Sequence, residues 1–342
     1  MKKHLIAAAA LATLSTAAFA QSATVYGIFD LSFTKASNVS GNNSLTALTD
    51  AVWMPSVFGI TGSEDLGGGM KAAFNLESDV NVDTGALSGA SGSKLFGRKA
   101  NVALSGNFGE LKLGKDIDML FLQGFIDNVR NSHSSSGFIA HAVANNAGLD
   151  TETVFTQNMV RYTTPSFNGV KASVQHKFGE TAGNNSLSSS TAYLVTYAAN
   201  GLTLAGGFKE MESSAAAKTE LTYFGATYQL GALRLAATHH KTQYKTANTA
   251  DSKTTEFGAG YAVSPKLTAA VNFVETETGS VKGDITSASL KYGMSKRTSL
   301  WTLVSRTNNN ASSQIYGGHY GAAYPASGKD GTTTSVGITH SF

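Results

Sequence analysis

The sequence predicts an all-β fold: a sixteen-stranded antiparallel transmembrane β-barrel with short periplasmic turns and longer extracellular loops. Two observations predict it. Segments of about ten residues alternate apolar with polar side chains, which is the pattern of a β-strand. Tight turns alternate along the chain with longer polar connections, as in barrels whose strands run up and down through a membrane.

The first 20 residues resemble a secretory signal peptide. Lys2 and Lys3 form a positive start, an apolar run follows over 5–17, and Ala18-Phe19-Ala20 matches an A-x-A cleavage site. The apolar run is shorter than the roughly 20 residues that a membrane-spanning helix needs. We therefore expect residues 1–20 to be cleaved on export and residues 21–342 to form the barrel domain.

The composition excludes several other classes of protein. The 342 residues contain 26 Lys and Arg against 23 Asp and Glu, so the chain lacks the strongly basic balance of a nucleic-acid-binding protein. There is no cysteine, and hence no disulfide framework. The 18 Phe and 12 Tyr argue against a disordered chain. After the signal, no segment approaches the roughly 18 consecutive apolar residues of a membrane helix.

The alternation is clearest in "MKAAFNLESDV" (70–80). Its apolar residues face one way, whereas Lys71, Asn75, Glu77 and Asp79 face the other. The same pattern recurs at 24–33, 170–177, 233–244 and 267–273. A soluble sandwich would bury the apolar faces in a core, whereas a membrane barrel turns them towards lipid and its polar faces towards the lumen.

The connections favour the barrel. Seven tight turns alternate strictly with eight longer polar loops, so that fifteen connections join sixteen strands. The turns lie at 62–69, 105–110, 165–169, 198–201, 230–232, 263–266 and 295–297, and the loops near 35–51, 81–93, 118–156, 180–189, 213–217, 246–251, 278–282 and 309–330. Sixteen strands make a barrel wide enough for an aqueous lumen, so the strand count itself predicts a pore.

The last segment, "TTTSVGITHSF", places Phe342 on the same side as Val336 and Ile338. The last strand must pair with the first, because an open sheet edge in hydrocarbon would leave backbone groups unpaired. We expect Phe342 to face lipid at the periplasmic aromatic girdle. A terminal Phe on an alternating strand also resembles the signal that the outer-membrane assembly machinery reads in outer-membrane proteins.

Six segments carry a family resemblance. They are "VYGIFD" (25–30), "VFGITGSEDLGGGMKAAFNLESDVNVDTGA" (57–86), "LFGRKANVALSGNFGELKLGKD" (95–116), "VRYTTPSFNGVKASVQH" (160–176), "YAVSPKLTAAVNF" (261–273) and the closing "GITHSF". The chain resembles the general diffusion porins of Gram-negative bacteria, in particular those of beta-proteobacteria. The resemblance implies a homotrimer whose long third loop, 118–156, folds into the lumen and narrows it.

The resemblance also implies a charged constriction, in which basic wall residues face acids. The matching basic positions are Arg98 in the family's "FGR" segment, Arg161 in its "RY" strand and Lys115 in place of the Arg of "LGR". Glu77 matches the acid of "LES", and the alternation independently turns it towards the lumen. The third loop offers the facing acids Asp127, Asp150 and Glu152.

Two wall positions depart from the family pattern. Val57 and Thr61 stand where basic residues are common, so the wall loses positive charge and the choice between anions and cations is left open. The alternation near Arg98 is ambiguous, because Val102 and Leu104 share its parity. The inward placement of Arg98 therefore rests on the resemblance alone.

These features predict an outer-membrane channel for passive diffusion of ions and small hydrophilic solutes. A charged ring across a narrow waist orients dipolar solutes and biases the sign of the ions that pass. No enzyme, cofactor, metal site or nucleic-acid partner is implied. The expected partners are outer-membrane lipids, further copies in a homotrimer, the assembly machinery and the solutes. Two alternatives are left open: a non-conducting barrel that acts as an adhesin, and a substrate-specific channel.

Overall fold

The computed structural model describes residues 22–87, 94–129, 154–214, 217–245, 249–310 and 325–342, in which one antiparallel sheet closes on itself. The predicted signal peptide lies outside these residues. Within the part of the chain that is described, no helix is long and apolar enough to cross a membrane.

The described elements are eighteen strands and one short helix. In chain order they are β1 (Ser22–Ser40), β2 (Asn43–Asp50), β3 (Val57–Gly67), β4 (Met70–Asn81), β5 (Ala86–Leu87), β6 (Lys99–Gly106), β7 (Gly109–Ile117), α1 (Met119–Ile126), β8 (Phe155–Thr163), β9 (Val170–Lys177), β10 (Ser190–Ala199), β11 (Leu202–Ser214), β12 (Ala217–Leu230), β13 (Leu233–Tyr244), β14 (Ser252–Ala262), β15 (Leu267–Thr278), β16 (Val281–Gly293), β17 (Thr298–Asn309) and β18 (Gly331–Ser341).

Sixteen wall strands make the barrel, as predicted. β2 and β3 pair one after the other with β1, so they form one wall strand that is interrupted at 51–56. β5 adds only a two-residue ladder to β4 and is not part of the wall. The barrel closes where β1 pairs antiparallel with β18, from Ile28 opposite Ser341 to Ala36 opposite Thr333. Closure leaves no sheet edge in hydrocarbon.

The side chains take the orientation that the alternation predicts. Phe33 on β1 is 63% exposed and Val271 on β15 is 56% exposed on the outer face, whereas Glu77 on the inner face is 3% exposed. Leu235 on β13 is likewise exposed on the outside, next to the inward Ala236. The apolar side chains therefore face lipid and the polar side chains line the lumen, the reverse of a soluble core.

The first predicted loop, 35–51, is mostly strand. β1 continues to Ser40 and β2 begins at Asn43, so the connection is a tight turn in which Gly41 has a φ of 62°. Polar residues such as Lys35, Asn38 and Asn43 interrupt the alternation there, so the pattern alone does not distinguish this segment from a loop. Strands that project beyond the bilayer meet water on both faces and need no apolar side, which explains the difference.

The interruption at 51–56 folds inwards. Trp53 is 2% exposed and packs against the inward-facing Trp301 of β17, with ring centroids 5.4 Å apart. The carboxylate of Asp30 on β1 accepts a hydrogen bond from the backbone N–H of Trp53 (2.8 Å) and one from Nε1 of Trp301 (3.1 Å). Thr339 of β18 donates to the same carboxylate (2.5 Å). Asp30 thereby ties the inserted segment to the seam where the barrel closes.

Phe342 extends the closing ladder by one more residue. Its N–H donates to the carbonyl of Gly27 (3.1 Å) and its carbonyl accepts from the N–H of Gly27 (3.2 Å). Its ring meets that of Phe29 edge-on, with centroids 5.2 Å apart. A Cβ on Gly27 would lie 2.3 Å from Cζ of Phe342, so the glycine makes room for the ring.

We predict that Gly27→Ala destabilises the barrel by roughly 1–3 kcal/mol, because the added methyl group collides with the Phe342 ring. Phe342→Ala in the same chain should restore part of the loss. It should not restore all of it, since the same Cβ would also lie 2.9 Å from the carbonyl oxygen of Val57. Urea unfolding in lipid vesicles measures both effects. Strictly additive losses in the double variant would show that the two residues do not share this contact.

Candidate pore constriction

Arg98 reaches into the barrel interior from the end of the second long loop. It lies immediately before β6 begins at Lys99, so strand alternation does not govern its side chain. Its Nε is 2.7 Å from Oε1 of Glu77, and its Nη1 is 2.6 Å from Oδ1 of Asp79. Both carboxylates are on the inner face of β4. The structure thus brings Arg98 into the barrel interior beside Glu77 and Asp79.

Glu77 is the centre of this group. Its second oxygen accepts from Nζ of Lys99 (2.8 Å) and from Oη of Tyr26 (2.7 Å). Glu77 points inwards and is 3% exposed. Sequence reasoning missed Lys99, although its strand parity with Asn101 and Ala103, two buried inward residues of β6, would have identified it.

Lys115 and Arg98 meet at one aromatic ring. Phe155, which ends the third loop, is 2% exposed, and its ring centroid is 5.1 Å from Cζ of Arg98 and 5.7 Å from Nζ of Lys115. A cation over an aromatic face is attracted by the ring quadrupole. Lys115 therefore lies near Arg98 at the base of the loop, and both cations contact the ring of Phe155.

Arg161 is buried in a second group beneath the loop. Its Nε and Nη2 donate to Oε1 of Gln175 (2.9 and 2.5 Å), and Nη2 also donates to the carbonyl of Ile117 (2.6 Å). Lys112 is directly opposite Arg161 in the ladder. The carboxylate of Asp116 relieves the repulsion between these two cations, because it is 3.0 Å from Lys112 and 3.2 Å from Arg161.

Asp118 fastens the start of the loop to the wall. Its Oδ1 caps α1 by accepting from the N–H groups of Leu120 (3.0 Å) and Phe121 (3.3 Å). Its Oδ2 accepts from Nζ of Lys209 at 2.9 Å, and from Thr156 and Gln175. We call Asp118 and Lys209 the latch. The N-cap signal is visible in the sequence, because Asp118 directly precedes the apolar run "MLFLQGFI".

The latch carboxyl is ionised although it is buried. Burial alone would raise the pKa of Asp118, but the charge and hydrogen bond of Lys209 outweigh it, with help from Arg161 and the N–H of Phe121. Together they hold that pKa below its usual range. The latch is therefore a buried ion pair that persists in mildly acidic solution.

Helix α1 rests on an apolar patch of the inner wall. Met119 and Leu120 pack with inward-facing residues of three strands, which are Ala192 and Leu194 of β10, Ala205 of β11, and Leu221 and Tyr223 of β12. Apolar residues on a lumen face are unusual for a water-filled barrel. Here they face the helix, so they form a dry contact beneath it.

Three glycines of the inner wall form seats for the loop. A Cβ on Gly207 of β11 would lie 2.3 Å from Cδ2 of Leu120, and one on Gly225 of β12 would lie 2.2 Å from Oδ2 of Asp127. A Cβ on Gly258 of β14 would lie 2.6 Å from Cγ2 of Val129. Glycine in a strand interior often marks a close approach of another segment. We call Gly207, Gly225 and Gly258 the glycine seats.

Asp127 is brought against the wall opposite the Arg98 group. Its carboxylate accepts from Oη of Tyr223 and from Nε2 of Gln123, which is 3.1 Å from both oxygens. Burial raises the pKa of Asp127, although Tyr223, Gln123 and Arg234 act in the other direction. The neighbouring Asn128 donates to Glu256 of β14 (2.6 Å). The other two predicted third-loop acids, Asp150 and Glu152, lie outside the described residues.

The sequence is similar to known outer-membrane proteins along most of its length. A model of the Gram-negative porin family matches residues 7–312. The chain is 30% identical over 358 residues to outer membrane porin protein 32 of Delftia acidovorans, with 100% of both chains covered. It is 34% identical over 194 residues to an outer membrane porin protein of Bordetella pertussis, covering 52% of this chain and 48% of that one.

Solved structures share the architecture. An anion-selective porin from Comamonas acidovorans superposes with a TM-score of 0.82 at 25% identity, covering 94% of this chain and 100% of that one. OmpF of Salmonella typhi, in complex with daunomycin, superposes with a TM-score of 0.68 at 16% identity, covering 94% and 98% of the two chains. The second likeness is one of fold alone.

We predict that Gly207→Val pushes α1 towards the pore axis and lowers single-channel conductance, because the new side chain occupies the space of Leu120. Overpacking of this kind costs roughly 1–3 kcal/mol, so the helix should move away from the wall rather than compress. Gly206→Val is the matched control. Gly206 faces lipid, where a Cβ would meet only the Phe224 ring at 3.9 Å. Equal conductance of Gly207→Val and Gly206→Val would show that Gly207 does not make room for α1.

We predict that Asp118→Asn keeps the helix cap but costs roughly 3–5 kcal/mol, because Lys209, whose side chain is 1% exposed, loses its counter-charge. Thr156→Val, which removes only a neutral hydrogen bond to the same oxygen, should cost about 1 kcal/mol. Urea unfolding in lipid vesicles compares them. Adding Lys209→Met to the Asn variant should recover part of the loss, and no recovery would argue against the ion pair.

The latch also makes the stability of the folded barrel depend on pH. A carboxyl whose pKa is lowered by folding adds stability that is fully present above its unfolded pKa of about 4, and loses it as the pH falls through the lower folded value. The stability difference between the parent and Asp118→Asn should therefore stay constant from neutral pH to about pH 5 and shrink only in stronger acid. A difference that shrinks between neutral pH and about pH 5 would contradict the lowered pKa.

Proposed function

The chain belongs to the family of Gram-negative porins, and on that premise we propose which of its parts set the passage of solutes. It is a channel of the outer membrane through which ions and small hydrophilic solutes diffuse passively, and it is not an enzyme. We propose that the waist of that channel is formed by α1 with its following residues and by the charged wall on β4 to β11.

The single observation that supports the proposal is that the start of the third loop is attached to the inner wall of the barrel. The latch and the glycine seats fix α1 and the residues after it against the inner wall, and the Phe155 contact fixes the other end of the third loop. A segment fixed in this way cannot swing out to widen the channel. We therefore place the constriction where α1 lies, with Arg98, Arg161, Lys115, Glu77 and Asp127 around it and with Asp150 and Glu152 as further acids of the same loop.

The charges of the waist are distributed unevenly. On the inner side of the flank formed by β4 to β11, the described residues include more cations than carboxylates. The inward cations include Arg98, Lys99, Lys112, Lys115, Arg161, Lys177 and Lys209, and the carboxylates include Glu77, Asp79, Glu110, Asp116 and Asp118. Asp127 and Glu256 lie across the lumen. A positive flank facing acids gives a transverse field and an excess of positive potential on one side.

We propose a weak preference for anions. Arg98 and Arg161 are bonded to acids and amides, so much of their charge is compensated locally. The solved relative from Comamonas acidovorans is described as anion-selective. Val57 weakens the preference in this chain, because it points inwards opposite Asp79 at a position where the family commonly has a base.

We also propose that three copies associate and that the assembly machinery recognises the last strand. The outer face of β1 to β7 carries exposed apolar side chains, including Val25, Phe58 and Val102, which contact between copies would bury as readily as lipid does. Val336, Ile338 and Phe342 alternate along the exposed outer side of β18. That row of side chains is the feature we expect the machinery to read.

We predict that the parent channel, in a roughly tenfold KCl gradient across a planar bilayer, gives a reversal potential with the sign expected of an anion-selective channel. Val57→Lys should move the potential further in that direction, because it adds a positive charge to the inner wall. Val57→Met is the matched control of similar size without charge and should leave the potential unchanged. Insertions should appear as three equal conductance steps if the channel is a trimer.

Three results would contradict one or other of these proposals. A cation-signed potential in the parent, with no response to Val57→Lys, would show that the described flank does not set selectivity. Purified protein that inserts without any ion steps would favour the non-conducting barrel. Single steps in place of triplets would reject the trimer and leave the selectivity proposal intact.

A further inference from the structure

The wall strand made of β2 and β3 carries extra residues that fold into the lumen. Between the pair Ile28–Val57 and the pair Leu31–Asp50, two residues of β1 lie opposite the six residues of the interruption. Ala51, where the chain leaves β2, has a φ of 58°. A left-handed backbone at a residue other than glycine is unfavourable and is retained only where the surrounding structure imposes it. The inward insertion is therefore a specific feature of this wall.

The insertion places the ring of Trp53 against two residues of neighbouring strands. The ring contacts that of Trp301 on β17, and its centroid is 5.6 Å from Nζ of Lys291 on β16. Lys291 and Gly337 are directly opposite Trp301 in the two ladders of β17. A Cβ on Gly337 would lie 2.3 Å from Cζ2 of Trp301, so the glycine makes room for that ring along the wall. We call Trp53, Trp301 and Lys291 the tryptophan–lysine stack.

The ring face of Trp53, and not its N–H group, determines where the side chain lies. Trp53 is 2% exposed, and its Nε1 has no hydrogen-bond partner among the described residues. A buried donor without a partner is unfavourable, so the contacts of the ring face with Trp301 and Lys291 must outweigh that cost. A cation is attracted by the face of an aromatic ring, and most strongly by that of tryptophan. The stack therefore fixes the direction of the Lys291 side chain.

Lys291 lies on the lumen side of β16, near its periplasmic end. It shares strand parity with the buried, inward Ser289, and β16 ends two residues later at Gly293, next to a tight turn. Ile285, which the ladders place at the level of Glu256, is six residues away. That separation is about 20 Å along the strand, at about 3.4 Å per residue. Lys291 is therefore separate from the acids that face the waist.

The charge of Lys291 is less compensated than the charges of the waist. Arg161 is 3.2 Å from Asp116 and Lys209 is 2.9 Å from Asp118, whereas Lys291 forms no ion pair among the residues that the structure describes. Asp30 is the acid whose charge reaches Lys291. Its carboxylate is 0% exposed and accepts hydrogen bonds from Trp53, Trp301 and Thr339. Lys291 is partly exposed, so an ion in the lumen meets the ammonium group and not the buried acid.

We propose that Lys291, positioned by Trp53, determines ion selectivity at the periplasmic entrance of the channel. A fixed ammonium group on the wall of a narrow entrance raises the local concentration of small anions and lowers that of small cations. The contact with Trp53 keeps the ammonium group beside the path of the ions. The effect adds to that of the proposed waist and does not depend on the sign of the selectivity that the waist gives.

The experiment measures reversal potentials of the purified channel in a planar bilayer, in a roughly tenfold KCl gradient with a mean concentration of about 0.1 M. Lys291→Gln should lower the ratio of anion to cation permeability roughly twofold. Lys291→Arg should keep the ratio of the parent, because a guanidinium group carries the same charge and stacks on an aromatic face. The difference between Lys291→Gln and the parent should fade at about 1 M salt, where charges are screened within about 3 Å.

The matched control removes one lysine from the same end of the barrel. Lys296 is exposed in the tight turn that follows β16 and has no part in the stack. Lys296→Gln should leave the permeability ratio close to that of the parent. Equal shifts in Lys291→Gln and Lys296→Gln would reduce the effect to net charge and overturn the proposal, and so would the absence of a shift in Lys291→Gln. A cation-selective parent would contradict the preference proposed for the waist, but the comparison between the two variants would still test Lys291.

Variants of Trp53 test its positioning role. Trp53→Leu should shift the reversal potential part of the way towards that of Lys291→Gln. Trp53→Phe keeps an aromatic face and removes only the unpaired donor, so its potential should stay near that of the parent. In a chain that already carries Lys291→Gln, Trp53→Leu should cause no further shift, because the two residues act through one contact. A further shift of the same size would show that Trp53 does not act through Lys291.

Discussion

The structure depends on one constraint: every backbone N–H and carbonyl group within the hydrocarbon layer must be paired inside the protein. A closed antiparallel sheet meets that constraint, and closure is made by the ladder between β1 and β18 with Gly27 and Phe342 at its end. Once the sheet is closed, successive side chains must alternate between lipid and lumen. The apolar exterior and the polar interior are thus two consequences of one pairing requirement.

The same constraint limits the ways in which a loop can be held inside the barrel. A wall whose backbone groups are all used in ladders can bind an inserted segment only through side chains or through gaps in its inner surface. This barrel uses both means. Lys209 and Gln175 supply the hydrogen bonds of the latch, and the glycine seats supply the gaps. Buried charge is tolerated there because each described cation of the latch region meets a carboxylate or an amide oxygen.

The sequence predicted the wall well and the loop attachment poorly, for a physical reason. Alternation with period two is repeated along every wall strand, so the strand count and the inward face of Glu77 could be derived. Arg98 lies just outside a strand, where alternation does not fix the direction of a side chain. Its inward placement could therefore be predicted only from the family resemblance. The glycine seats could not be found, because a single inward glycine looks the same whether or not another segment approaches it.

The charged residues that hold the loop tolerate fewer substitutions than the wall positions that can set ion selectivity. Arg98, Arg161 and Asp118 are bonded on several sides, so altering any of them loosens the constriction as well as its charge. Val57 and Thr61 point into the same lumen without belonging to either ionic group, and Thr61 donates only to the carbonyl of Phe74 at 2.9 Å. A basic residue in place of Val57 or Thr61 makes the electrostatic potential at the waist more positive without altering the latch. Selectivity can therefore diverge at such wall positions between related channels, while the ion pairs that carry the loop stay unchanged.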